Sequence, residues 1–76
     1  MITVKQAYHI ARQNSMGIKL DLMAYDFGDC WAFDRSGTEK MIGFQPIVVQ
    51  KETGKVIPFD FPADFGRMEK AHRVKV

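Results

Sequence analysis

The chain has 76 residues, 46% of them hydrophobic and 26% charged, and its 11 basic and 9 acidic side chains leave a net charge of +2. That balance excludes a disordered polyelectrolyte tail, and a single cysteine, Cys30, excludes an internal disulfide framework. The longest uncharged run, Met41 to Gln50, is too short and too mixed to span a bilayer.

The start, Met1-Ile2-Thr3-Val4-Lys5, lacks the basic and apolar stretches of a secretion signal. The expectation is one soluble cytoplasmic domain over residues 1–76 that needs no cofactor. Ordering a chain costs roughly 1.5 kcal/mol per residue. A chain this small must bury nearly all its large apolar side chains and has little left for a deep catalytic pocket. A surface that binds a partner, or a second copy, is easier to build.

Thr3 with Gln6 matches a capping box and opens a helix. Val4, Ala7, Tyr8 and Ala11 follow as one apolar stripe, opposite Lys5, His9, Arg12 and Gln13. Gly17 is the expected stop, after Ser15 and Met16. The stripe is narrow and its side chains small, which suits a helix resting across a sheet.

The remainder reads as strands. There are two leucines against 12 isoleucines and valines and nine aromatics. Ile18 to Leu22 alternate with period two, and then the bulk slips to Met23, Tyr25 and Phe27, which predicts a bulge or bend near Met23 or Ala24. Phe27-Gly28-Asp29 is a turn, and Cys30 to Arg35 is the second strand with Trp31 and Phe33 on one face. A polar connection follows from Ser36 to Gly43.

Pro46 to Gln50 is the third strand, and Lys51-Glu52-Thr53-Gly54 is a hairpin loop. Lys55 to Phe61 is the fourth strand, an edge or bulged strand because Pro58 has no N–H. A short helix can start at Pro62-Ala63-Asp64 and run to about Ala71. The fold class is α+β: an N-terminal helix packed on a four-stranded antiparallel meander, with a short C-terminal helix as an addition. The sheet face away from the helix carries Cys30, Ala32, Val48 and several aspartates and is at most partly apolar.

From Cys30 onward the pattern is sharp. Trp31-Ala32-Phe33 is followed by Gly43-Phe44-Gln45-Pro46-Ile47-Val48-Val49 and then by Lys51-Glu52-Thr53-Gly54-Lys55-Val56. This resembles the immunity protein 35 family, the small bacterial YrhB-like proteins, whose shared features are an aromatic-x-Phe strand, a Gly-x-x-Pro-Ile-Val strand and a Lys-x-Thr-Gly turn. The opening helix fits as well. Gln50 departs from the pattern, which has an aspartate there, and PepSY-type domains end in a similar strand, Thr-Gly turn and strand. The resemblance implies a cytoplasmic bacterial protein that neutralises a toxin by binding it, with no catalytic residues. Trp31, Phe33, Pro46 and Gly54 are then scaffold.

Asp21, Asp26, Asp29 and Asp34 fall within 14 residues that hold no lysine or arginine. Their spacing lacks a calcium-loop pattern, and aspartates are ordinary turn residues. An acidic hairpin tip can instead steer a basic partner. The candidate partner-binding set is Asp26, Asp29, Asp34 and Phe44, the aromatic serving as an apolar anchor; Phe65 is the other aromatic expected to be exposed.

The alternative is a nucleic-acid surface made of Lys5, Arg12, Arg67, Lys70, Arg73 and Lys75, should both chain ends meet in space. The bland reading of the same residues is a frayed basic C-terminus. A third option is a homodimer that pairs through the Pro58 edge or the less buried sheet face. No acid, base and nucleophile converge in the sequence, and Cys30 lies between Asp29 and Trp31, where a carboxylate opposes thiolate formation.

Overall fold

The computed structural model describes residues 1–36 and 45–76. The expected connection through Gly43, and Phe44 with it, lies outside the described residues. No helix among the described residues is long and apolar enough to cross a membrane.

Helix α1 spans Val4–Gln13. Its capping box is complete: Gln6 N–H donates to Thr3 Oγ1 at 3.2 Å, and Thr3 N–H donates to Gln6 Oε1 at 2.9 Å. Ala7 and Ala11 are fully buried, with Val4 and Tyr8 packed beside them, so the expected stripe is the face that meets the sheet. The helix ends earlier than the glycine suggests. Asn14 is the C-cap, and the chain then turns through Met16 and Gly17, both at positive φ.

Among the described residues the sheet has five antiparallel strands. They are β1 (Met23–Asp26), β2 (Cys30–Phe33), β3 (Ile47–Gln50), β4 (Val56–Ile57) and β5 (His72–Lys75), in the order β4-β3-β2-β1-β5. The α+β class and the meander hold, but one strand more is present than the four expected. The C-terminal segment is not a frayed tail. It pairs along the whole of β1, from Met23 opposite Lys75 to Asp26 opposite His72. Its two valines give too weak an alternation to be read locally. What makes it a strand is the open edge of β1, whose backbone groups need partners.

Two other strand expectations contract. Ile18 to Leu22 form only a single bridge, Leu20 to Arg35. The five steps from Leu20 to Tyr25 face only three from Arg35 back to Ala32, so the strand bulges. Asp21 makes the bulge: its backbone N–H donates to Asp34 O, and its carboxylate accepts the Met23 N–H at 3.1 Å. Leu22 is turned outward as a result and is 54% exposed.

At the far side, β4 keeps only Val56 and Ile57, because Pro58 follows and cannot donate to a ladder. Helix α2 (Phe61–Lys70) takes over, with a proline in its first turn. Asp64 closes that turn by accepting the Asp60 N–H at 2.9 Å.

Alternation along the strands makes two cores. On the α1 side, Phe33, Val49, Ile47, Ala24 and Leu20 meet Ala7 and Ala11, and Trp31 packs at the margin. Tyr8 stands edge-on to Phe33 at 5.9 Å. On the opposite side, Cys30, Ala32 and Val48 are buried with Phe59, and Tyr25, Phe27, Ile57 and Met68 of α2 pack against them. The second face is therefore covered rather than open, which removes it as a pairing surface for a second copy.

Candidate functional site

The four clustered aspartates do not form a single acidic surface. Each is held by its own partner. Asp26, at the end of β1, accepts from Lys51 Nζ at 2.7 Å and from the Gly28 N–H at 2.8 Å. The Lys51 bond, followed by the Gly28 bond, holds the Asp26 carboxyl below its ordinary value. Asp29 lies in the β1–β2 turn, 2.6 Å from Arg67 Nη2, and that arginine lowers its pKa too. Asp21 pairs with Arg73 at 3.1 Å. Asp34 accepts the backbone N–H of Arg35. Among the described residues no group of three or more metal-ligating side chains occurs.

The cations that answer these aspartates also stack on rings. Lys51 Nζ lies 4.0 Å above the Trp31 ring. Arg67 lies 4.5 Å above Phe27, and Arg73 lies 4.7 Å above Tyr25. Lys51 is 9% exposed, the most buried cation among the described residues. Sequence reasoning placed it in a hairpin loop and missed its role, because its acid partner is 25 residues away.

The two hairpin ends and the start of the chain meet at one end of the sheet. Lys51 N–H donates to Asp29 O at 3.1 Å, and Ile2 N–H donates to Lys51 O at 2.8 Å. Between them is a shallow cavity of about 330 Å³, lined by Met1, Gly28, Asp29, Cys30, Gln50, Lys51 and Glu52. Its rim is acidic. Glu52 is exposed, and the Asp29 side chain is 74% exposed even with Arg67 on one oxygen. Lys51 turns its ammonium inward to Asp26 and Trp31.

Cys30 is buried, and burial followed by the Asp29 charge pushes its thiol pKa up. It sits on the α2 side of the sheet. His72 stands opposite Asp26, and His9 projects from α1, which packs on the other face.

The candidate nucleic-acid residues are split in the same way. Lys5 and Arg12 are on α1, whereas Arg67 and Lys70 are on α2, across the sheet. Arg67 and Arg73 are already engaged with Asp29 and Asp21. The two basic chain ends therefore do not merge into one patch. Lys70, Arg73 and Lys75 do stay close in the chain, around the start and end of β5. Phe65, on α2, is half exposed, as expected for it.

No family model, no curated protein and no solved structure matches the chain.

Proposed function

We propose that the chain is a non-enzymatic protein-binding module, an immunity-like protein that neutralises a toxin by occlusion. It docks a basic partner on the hairpin end of the sheet. One observation carries this reading: the two hairpin turns and the chain start are tied together by Lys51 N–H to Asp29 O and Ile2 N–H to Lys51 O, with Asp29 and Glu52 on the outer rim. A surface already locked by backbone bonds has little ordering entropy left to lose on binding. Exposed carboxylates on its rim steer a cationic partner and set its orientation. The segment from Trp31 to Val56, which carries the resemblance to the immunity protein 35 family, supplies β2, β3 and the β3–β4 turn at this end. Asp26 serves the docking set indirectly, by anchoring Lys51, and Asp34 stands outside the cavity lining.

The test is a tagged pull-down from host lysate, split into nuclease-treated and untreated halves, with wild type beside Glu52→Lys. Glu52 has no ion pair among the described residues, so reversing it leaves the internal bridges intact. A near-stoichiometric protein in both halves, lost with Glu52→Lys, is the expected result. Recovery only without nuclease would move the assignment to the nucleic-acid surface.

A further inference from the structure

The sheet has two edges, and they differ. The β4 edge is two residues long and runs into Pro58, so it offers almost no ladder. The β5 edge is four residues long, without proline, and is the last strand in the order. Its hydrogen-bonding parity follows from the register. Val76 N–H donates to Leu22 O, and Met23 lies opposite Lys75. In an antiparallel ladder the bonded residues alternate. His72, Val74 and Val76 therefore turn their N–H and C=O groups to β1, and Arg73 and Lys75 turn theirs outward. Among the described residues nothing pairs with those outward backbone groups.

The side chains along this edge are basic. His72, Arg73 and Lys75 are exposed, Lys70 precedes them at the end of α2, and only Arg73 has an ion pair among the described residues. Arg73 and Lys75 share the α2 side of the sheet with Tyr25 and Met23, and Val74 shares the α1 side with Ala24. A second copy is a poor occupant, because antiparallel self-pairing would set Arg73 and Lys75 against the same cations. An acidic strand meets no such repulsion.

We propose that the free β5 edge accepts an extended acidic segment of a partner protein as a sixth strand. The segment places carboxylates opposite Arg73 and Lys75 and an apolar side chain opposite Val74. The backbone groups of Arg73 and Lys75 supply the ladder, and the alternation of charge and apolar bulk supplies the register. This surface uses none of the hairpin-end carboxylates, so it stands or falls apart from the toxin reading.

The probe is a blocked peptide of alternating glutamate and valine, with the lysine–valine peptide as its counterpart. Titration followed by NMR should show slowed amide exchange at Arg73 and Lys75 and binding of the acidic peptide alone. Lys75→Pro removes one outward N–H without touching the bonds to β1 and should weaken binding at least tenfold. Lys75→Glu keeps that N–H and loses the charge. It should also weaken binding, while its thermal melt stays at the wild-type midpoint.

Equal binding of both peptides, no binding of either, or exchange protection away from Arg73 and Lys75 would overturn the proposal. So would sedimentation as a dimer with those same two amides already protected, which would make the occupant a second copy.

Discussion

Arg67 reaches back 38 residues to put its guanidinium 2.6 Å from the Asp29 carboxylate. The same group donates to Phe27 O at 3.0 Å and lies over the Phe27 ring. One side chain thus ties α2 to the β1–β2 turn and closes the second core at its open end. Arg67→Ala should cost about 1 kcal/mol, because the pair is partly exposed and screened. Urea unfolding measures the loss. Cys30 lies under this contact, so its reaction with a thiol reagent should also speed up. An unchanged thiol rate would mean that α2 stays seated without the arginine.

Acid should weaken the fold through Asp26 and Asp29. Both are held below the ordinary value of 3.8, by Lys51 and Arg67 respectively. A depressed folded-state pKa gives stability that is complete above 3.8 and is lost as pH falls through that value toward the lower folded one. In Lys51→Met, Asp26 loses the main cause of its depression. The fall in stability between pH 5 and the acid limit should then be shallower than in wild type, measured by urea midpoints across that range.

Gly54 and Gly28 both have positive φ, +72° and +91°. Their surroundings differ. A Cβ on Gly54 would meet Ile10 Cδ1 at 3.4 Å and Ile2 at 3.7 Å, whereas one on Gly28 would meet nothing within 4 Å. Gly28→Ala should carry only the backbone cost of about 1 kcal/mol. Gly54→Ala should cost no more than Gly28→Ala, because its Cβ would sit at ordinary van der Waals distance from Ile10 of α1 and from Ile2, and that contact offsets part of the backbone cost. A larger loss for Gly54→Ala in thermal melts would show that the β3–β4 turn cannot take a methyl group against Ile10 and Ile2.

Removing residues 72–76 tests the fifth strand directly. The truncation strips β5 from β1 and leaves the backbone groups of Ala24 and Asp26 unpaired. A loss of at least about 2 kcal/mol is expected, which lowers the melting midpoint by roughly 10 °C in a domain of this size. A truncated chain that melts like the full one would mean that β5 adds no net stability.

How much of this was legible in the sequence follows from how far apart the interacting groups lie. The helix start is written in Thr3 and Gln6, three residues apart, and the structure has that box complete. The β3–β4 turn is written in Lys51 to Gly54, and the start of α2 in Pro62. The sides taken by Trp31 and Phe33, and by Ile47, Val48 and Val49, follow from period two alone. Each of these depends on contacts between neighbours in the chain or on alternation that every strand obeys.

The candidate site was legible only in part. The sequence marked Asp29 but read the aspartates as one acidic tip, with no cation among their 14 residues. The cations come from elsewhere: Lys51 lies 25 residues from Asp26, Arg67 lies 38 from Asp29, and Arg73 lies 52 from Asp21. Which cation meets which aspartate is set by strand register and by the return of the chain through α2. Residue types alone do not encode that.

The fifth strand has the same origin. His72 to Lys75 carry a sequence that is mostly charged, and by composition it belongs in solvent. It is a strand because β1 is otherwise an edge and its backbone donors and acceptors find their partners there. Local propensity and alternation thus determined the helix start, the turns and the inward faces. Tertiary pairing decided the last strand, the partners of the aspartates and which strand ends the sheet, because backbone hydrogen bonding and charge pairing act between segments that meet only when the chain folds.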